Sequence, residues 1–363
     1  MTARLDYRGN RLAVPKNSIR PGETMLNRGR EGASARGVRR ISGWSVIVCG
    51  ALAAILAGSL GAAPFAYVTN DDNTVSVINT GTNTVVGTIP VGNSPIGVAA
   101  DPVHHSVYVT NSGDDSVSVI NTHLQRVVRT IKVGSNPEGI AVNSAGTRIY
   151  VTNNFGGSVS VIRISPIPLL MRVIATIPVG VLPLGVVVNP AGTVVYVANN
   201  GVSNSISVIN TQTNNVMATI PIGGTAGAGP AGLEINPAGT LLYATKLAGN
   251  TVSVIDTSTN SVTATIGVGT FPTGIALDPV HSQAFVANLG SDDVSVIDTA
   301  TNTVTATLPV GKAPVGIAAS PTGFAYVANN GSNDVSVIST ATNIVTDTVS
   351  VGTGPEAFGR FIK

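Results

Sequence analysis

From Phe65 onward, short runs of apolar residues alternate with polar ones and are broken by Asn, Asp, Gly and Pro. In Val117-Ser118-Val119-Ile120 the alternation has a period of two, which is strand spacing and not helix spacing. One stretch shows the unit. Ile96–Ala100 reads as a first strand ending at the turn Asp101-Pro102, and Val107–Asn111 as a second. Val117–Ile120 is a third strand, and Val127–Val133 a fourth that runs into Gly134. Asn-Thr, Asn-Pro, Pro-Ala-Gly and Val-Gly pairs mark the turns between them. Past residue 64 no stretch carries a helical period.

The unit recurs. Tyr67-Val68-Thr69-Asn70 is repeated in kind at Tyr108, Tyr150, Tyr196, Tyr243, Phe285 and Tyr326, at steps of 41, 42, 46, 47, 42 and 41 residues. Self-similarity near this period belongs to solenoids and propellers, and four antiparallel strands per repeat make a propeller blade. The repeats begin on a second strand, Phe65–Asn70, and end on an unpartnered first-strand sequence, Gly354-Pro355-Glu356-Ala357-Phe358. Pairing that last segment into the first blade completes seven blades and removes two exposed sheet edges. The prediction is an all-β, seven-bladed β-propeller of four-stranded antiparallel blades, closed by its own ends.

These residues carry a resemblance. Tyr-Val-Thr-Asn, Val-Ser-Val-Ile-Asn-Thr, Thr-Asn-Thr-Val and Pro-x-Gly-Ile-Ala, taken together over nearly all of 65–363, resemble the YVTN-repeat β-propeller family. That family includes surface-layer-like and exported bacterial proteins. The resemblance implies the propeller fold and an extracytoplasmic setting, in the periplasm, at the cell surface or secreted. It implies no single reaction, because one fold hosts many.

Charge divides the chain in two. The formal net charge is +2, but residues 1–64 carry 10 Lys/Arg against 3 Asp/Glu, and 65–363 carry 10 against 15. The basic character therefore belongs to the leader. The body is mildly acidic and lacks the Lys/Arg cluster that a phosphate backbone requires, which argues against nucleic acid as a partner. Arg36, Arg39 and Arg40 precede an apolar stretch, Ile41–Ala63, as in an export signal; its length suits a cleaved signal or an uncleaved membrane anchor. Met25 is an alternative start with a better basic flank. The domain expectation is a leader over 1–64 and a propeller over 65–363, touching membrane only through the leader if that is retained. Cys49, the sole cysteine, and Trp44, the sole tryptophan, both fall in the leader. A body without them has no thiol nucleophile, no disulfide and no indole on which a quinone cofactor would stack.

Catalytic signatures are sparse. Gly227-Ala228-Gly229-Pro230-Ala231-Gly232 spells the dinucleotide pattern but precedes no helix, so the phosphate-binding geometry is missing. His104 and His281 occupy equivalent Asp-Pro-Val-His turns in blades 2 and 6, which are not neighbours; His105 and His123 complete the set. Turns between second and third strands hold Asp71, Asp72, Asp114, Asp115, Asp292, Asp293 and Asp334, all in blades 1, 2, 6 and 7, which become contiguous on ring closure. Asp is a good turn former, and an acidic sector is also an oxygen-rich site that would suit Ca²⁺. No other cofactor is expected.

Four further positions break the repeat. Glu138 and Glu356 stand where other first strands begin with Ile96, Leu184, Ala231, Thr273 or Val315, and both are candidates for the channel mouth. In blade 5, Glu234 replaces a small or apolar residue, and Lys246 replaces the motif Asn. Opposite charges on adjacent strands suggest an ion pair between these two, or a ligand site at the channel. Blade 3 adds an apolar hairpin, Ile164–Met171, suited either to a partner or membrane contact or to folding back on the blade edge. The leading expectation is an exported noncatalytic binding or surface-layer-like propeller, with a protein or cell-envelope partner. The alternative, implied by similar propellers, is a channel-mouth enzyme of lactonase or streptogramin-lyase type.

Overall fold

The computed structural model describes residues 64–223 and 229–363. The leader, with Met25, Trp44 and Cys49, and the first two residues of the Gly227–Gly232 pattern lie outside the described residues. Six four-stranded antiparallel sheets follow one another in chain order; blade 2 is Pro95–Ala100, Ser106–Asn111, Ser116–Asn121 and Arg126–Lys132. Blade 1 contributes Phe65–Asn70, Thr74–Asn79 and Thr84–Pro90, and its inner strand comes from the C-terminus. The fold is a seven-bladed, all-β propeller. Among the described residues, the only helical segments are single 3₁₀ turns at Ser112–Asp114 and Pro168–Leu170.

Blades stack face to face, so their second and third strands are buried on both sides, as in Ser116–Asn121. Outer strands such as Thr84–Pro90 bury little. Hydrophobic clusters therefore lie between blades: Tyr67, Val77 and Ile78 pack with Tyr326 and Val337 of blade 7 and with Val98 and Val109 of blade 2. β-Branched Val and Ile suit such doubly packed strands because their χ1 is already restricted.

Each letter of the Tyr-Val-Thr-Asn motif has a mechanical task. The tyrosine ring is buried, and its hydroxyl reaches the next blade in some copies: Tyr326 donates to Thr80 O at 3.2 Å, and Gln125 Nε2 donates to Tyr67 at 3.4 Å. Thr110 Oγ1 donates to Glu138 O of the next inner strand and accepts from Gly97 N, both at 2.8 Å. Thr152 and Thr245 repeat this, donating to Leu184 O and Thr273 O at 2.7 Å. Asn111 binds Ser116 and Ser118 through Nδ2, each at 3.0 Å, and accepts from Gly92 N at 3.1 Å. Inner strands approach so closely that a Cβ on Gly97 would lie 2.1 Å from Glu138 O, which accounts for the glycine of Pro-x-Gly.

Closure takes the expected place in an irregular form. Pro355 pairs with Asn70 and Ile362 with Ala66, while Phe65 and Lys363 exchange backbone bonds of 2.7 and 2.8 Å. In blade 2 the same span opposite the second strand runs from Pro95 to Ala100. The closing strand is thus two residues longer than its counterpart. The excess forms an excursion along the neighbouring inner strand, where Val98 N donates to Phe358 O and Ala100 N to Arg360 O.

Candidate functional site

The inner strands enclose a cavity of about 750 Å³, lined by residues such as Ile140, Val186 and Ala318 and by the turns that end those strands. Its polar groups are few. Glu234, Arg360, Lys363, Asp101 and Asp278 are the charged residues that line it.

Arg360 sits on the closing-strand excursion of blade 1, and Glu234 on the inner strand Pro230–Ile235 of blade 5, with blades 6 and 7 between them on the ring. The Arg360 Nη2 group donates to Glu234 Oε1 across the cavity. The neighbouring Glu234 carboxylate raises the guanidinium pKa further. Glu234 is 11% exposed and Arg360 68%, so the carboxylate is largely covered while the guanidinium faces open space. An Arg has five N–H donors in a planar fork, and one carboxylate oxygen uses only part of that capacity.

Lys363 Nζ donates to the backbone carbonyls of Asp101 and His104, and burial lowers its pKa despite the opposing field of Asp101. The Asp101 carboxylate is enclosed in its own turn: it accepts from Val103 N and His104 N at 2.9 Å and from Tyr108 hydroxyl at 2.8 Å, with His104 Nδ1 at 3.1 Å. Burial, with the Asp101 charge, pushes the Tyr108 phenol well above its ordinary value. Asp278 likewise accepts from Val280 N at 2.8 Å and lies 2.7 Å from His281 Nδ1. The two acceptors are therefore occupied, and the uncommitted polar capacity of the cavity is mainly the donor surface of Arg360.

Of the two sequence alternatives for Glu234 and Lys246, the structure excludes the ion pair between them. Glu234 stands opposite Tyr243 and Lys246 opposite Pro230, and Lys246 Nζ donates to Ile222 O at 3.1 Å. Lys246 thus holds the connection arriving from blade 4, much as the motif Asn does elsewhere. Glu138 is buried and accepts from Asn136 Nδ2 at 3.0 Å. Glu356 is 1% exposed. Both begin their inner strands, at the opposite end from Glu234, and neither lines the cavity, nor does Lys246. Arg360 and Lys363 went unrecognised because they follow the last repeat, where no copy exists for comparison. An arginine beside a glycine in a strand that must close the ring was the available signal.

The aspartates of the second-to-third-strand turns serve as latches. Asp115 and Asp292 adopt left-handed backbone angles, φ 49° and 57°, and accept from Asn136 N and Ala313 N at 2.8 Å. Asn73, Asn250 and Asn333 do the same in their blades, accepting from Ser94, Phe271 and Gly354 at 2.9–3.0 Å. Asp114 takes Asn93 N and Nδ2 at 2.8 Å, Asp72 accepts from Thr74, and Asp293 and Asp334 each accept from a motif Asn at 2.6 Å. Asp71 lies against Gly354 in the same belt of turns. Among the described residues, no three His, Cys, Asp or Glu side chains converge as metal ligands. The Gly227–Gly232 pattern leads into the strand Pro230–Ile235, not a helix.

Comparison with known proteins agrees with this architecture. The family described as Lactonase, 7-bladed beta-propeller, matches residues 97–268, which span blades 2 to 5. No curated protein matches the chain. Hydrazine synthase of Kuenenia stuttgartiensis superposes with a TM-score of 0.67 at 21% identity, over 80% of this chain and 99% of that one. A functionally unknown protein from Desulfotomaculum acetoxidans gives 0.67 at 17%, over 82% and 99%. The dihydro-heme d1 dehydrogenase NirN gives 0.59 at 14%, over 81% and 74%. At these identities the likeness is one of fold.

Proposed function

We propose that the chain is an extracytoplasmic binding propeller that holds a small organic anion in its central cavity. One observation carries this reading. Glu234 departs from what the repeat places at its position, Arg360 stands on the segment that follows the last repeat, and the two meet in the cavity from distant blades. Repeat consensus packs the same position with Ala99, Ala276 or Ala318, so packing alone does not call for a carboxylate there. A guanidinium anchored by a covered carboxylate and facing a largely apolar cavity is suited to a carboxylate or phosphate. The basic–apolar leader supports export, and a cell-envelope or surface-layer-like setting follows the repeat resemblance.

The test is calorimetric titration with short hydroxycarboxylates and with their neutral amide counterparts. Carboxylates should bind, amides should bind at least about tenfold more weakly, and Arg360→Gln should remove the difference. Equal binding of acids and amides would reject the reading.

A second reading, lactone hydrolysis, is favoured by the family match over blades 2 to 5. His104 held by Asp101 beside the cavity is its candidate base. Turnover of γ- or δ-lactones that disappears in His104→Ala would support it over simple binding.

A further inference from the structure

Cationic residues are unevenly placed around the ring. Six of the ten Lys/Arg of 65–363 fall between Arg126 and Arg172, whereas the stretch 116–172 holds one acidic residue, Glu138. Glu138 is buried where its inner strand begins, away from the outer edge. Arg126, Arg163 and Arg172 are exposed where the third and outer strands of blades 2 and 3 meet in their hairpins, while Lys132 stands at the opposite end of its outer strand and donates to Asp114 O. By contrast, the outer strands of the other five blades, such as Asn215–Pro221 and Thr303–Pro309, contain no Lys or Arg. A basic edge thus stands on a body that is otherwise acidic.

The same edge bears the longest hairpin connection among the described residues. In Ile164–Met171, Met171 is buried and joins the core between blades 2 and 3, with Ile164 packed against it. That anchorage leaves the tip, the 3₁₀ turn Pro168–Leu170, standing out: Leu169 is 73% exposed, and Ile167 and Leu170 at least half. Leu124 adds a fourth exposed aliphatic side chain on the matching turn of blade 2. Part of the insertion thus folds back on the blade edge, and part is presented to solvent. Pro166 and Pro168 limit the backbone freedom of the tip, which reduces the entropy lost on docking.

We propose that the rim of blades 2 and 3 docks on an anionic phospholipid surface. Exposed Ile and Leu side chains gain by entering the headgroup–acyl boundary, and flanking arginines gain from the negative surface potential. A nucleic acid would reward the arginines but not the leucines. Turns after first and third strands lie at one end of every blade, so this rim is on the side where the cavity is lined by Asp101 and Pro102. Docking brings that end of the channel towards the bilayer. The proposal is independent of what the cavity holds.

The experiment is co-sedimentation of the full-length protein with phosphatidylcholine vesicles, with and without about 30% phosphatidylglycerol. Every variant keeps residues 1–64, so any contribution from the leader is common to all. The unaltered protein should bind the anionic vesicles more tightly than the neutral ones, and less so as salt rises. Arg126→Glu with Arg172→Glu, and separately Leu169→Ser with Leu170→Ser, should each weaken anionic binding by roughly tenfold or more. Thr303→Glu on the far side of the ring should leave it unchanged. Melting curves serve as the control that these exposed substitutions leave the fold intact. Equal binding to both vesicle types, or equal binding by variant and unaltered protein, overturns the proposal. So does arginine-dependent capture on polyglutamate without vesicle binding, which would assign the edge to an acidic protein partner.

Discussion

At the scale of single residues, the repeat shows its economy most clearly in Thr110 and Asn111. Each uses one short side chain to tie its own blade to a neighbouring strand or connection. Side chains that depart from this pattern either take over the same task, as Lys246 does with Ile222 O, or are released for another, as Glu234 is. The strength of the Arg360–Glu234 pair is bounded by exposure. Because the guanidinium is open to solvent, the pair should couple by about 1 kcal/mol and not by the several expected of a sealed pair. A double-mutant cycle of Glu234→Ala with Arg360→Ala, followed by thermal or denaturant unfolding, measures this directly. The corresponding cycle with Lys246→Asn should be additive, since Glu234 and Lys246 occupy different registers of the hairpin.

For the strands, the decisive element is the C-terminal segment. It closes blade 1 through Asn70, Tyr67 and Phe65, and its excursion also lends backbone carbonyls to Val98 and Ala100 of blade 2. Removing Pro355–Lys363 should therefore act twice, baring a strand edge on Phe65–Asn70 and unfastening the inner strand Pro95–Ala100. The expected outcome is a lower melting temperature together with aggregation, followed by scanning calorimetry and light scattering. A truncated protein that melted and stayed in solution like the full chain would show that the ring closes without this strand. The same segment carries Arg360, so closure and cavity chemistry are built by one stretch of chain.

Over the whole molecule, the repeated tyrosine sets an alkaline limit to stability. Burial raises the phenol pKa of Tyr67, Tyr150, Tyr196 and Tyr243, and of Tyr108 with help from Asp101; Tyr326 is pushed up to about 12. A raised folded-state value means that the neutral phenol is favoured on folding. This stabilisation is complete below the unfolded value near pH 10 and is lost as pH climbs towards the folded values. Melting temperature should hold up to about pH 10 and then fall steeply. Phenolate absorbance should appear together with unfolding instead of preceding it. Early, noncooperative ionisation of most tyrosines would show that the blades are looser than their packing implies.

Blade number, strand order and the place of closure were legible in the sequence, because each follows from local periodicity repeated seven times and from where the repeats begin and end. The turn aspartates were legible both as turn formers and as cation ligands, but the choice was not: a left-handed Asx residue and a cation ligand look alike until the acceptor's partner, such as Ala313 N, is in view. Glu234 stood out as an exception to the repeat, yet its partner could not be read from the chain. Local reasoning searches the adjacent strand and finds Lys246, whereas Arg360 is brought near only when the ring closes and an over-long strand turns its excess into the channel. The repeat determined what each blade is, since strand pairing within a blade is a short-range matter. Only the tertiary structure decided what meets in the middle, because residues that face one another across the channel lie in distant blades and share no local signal.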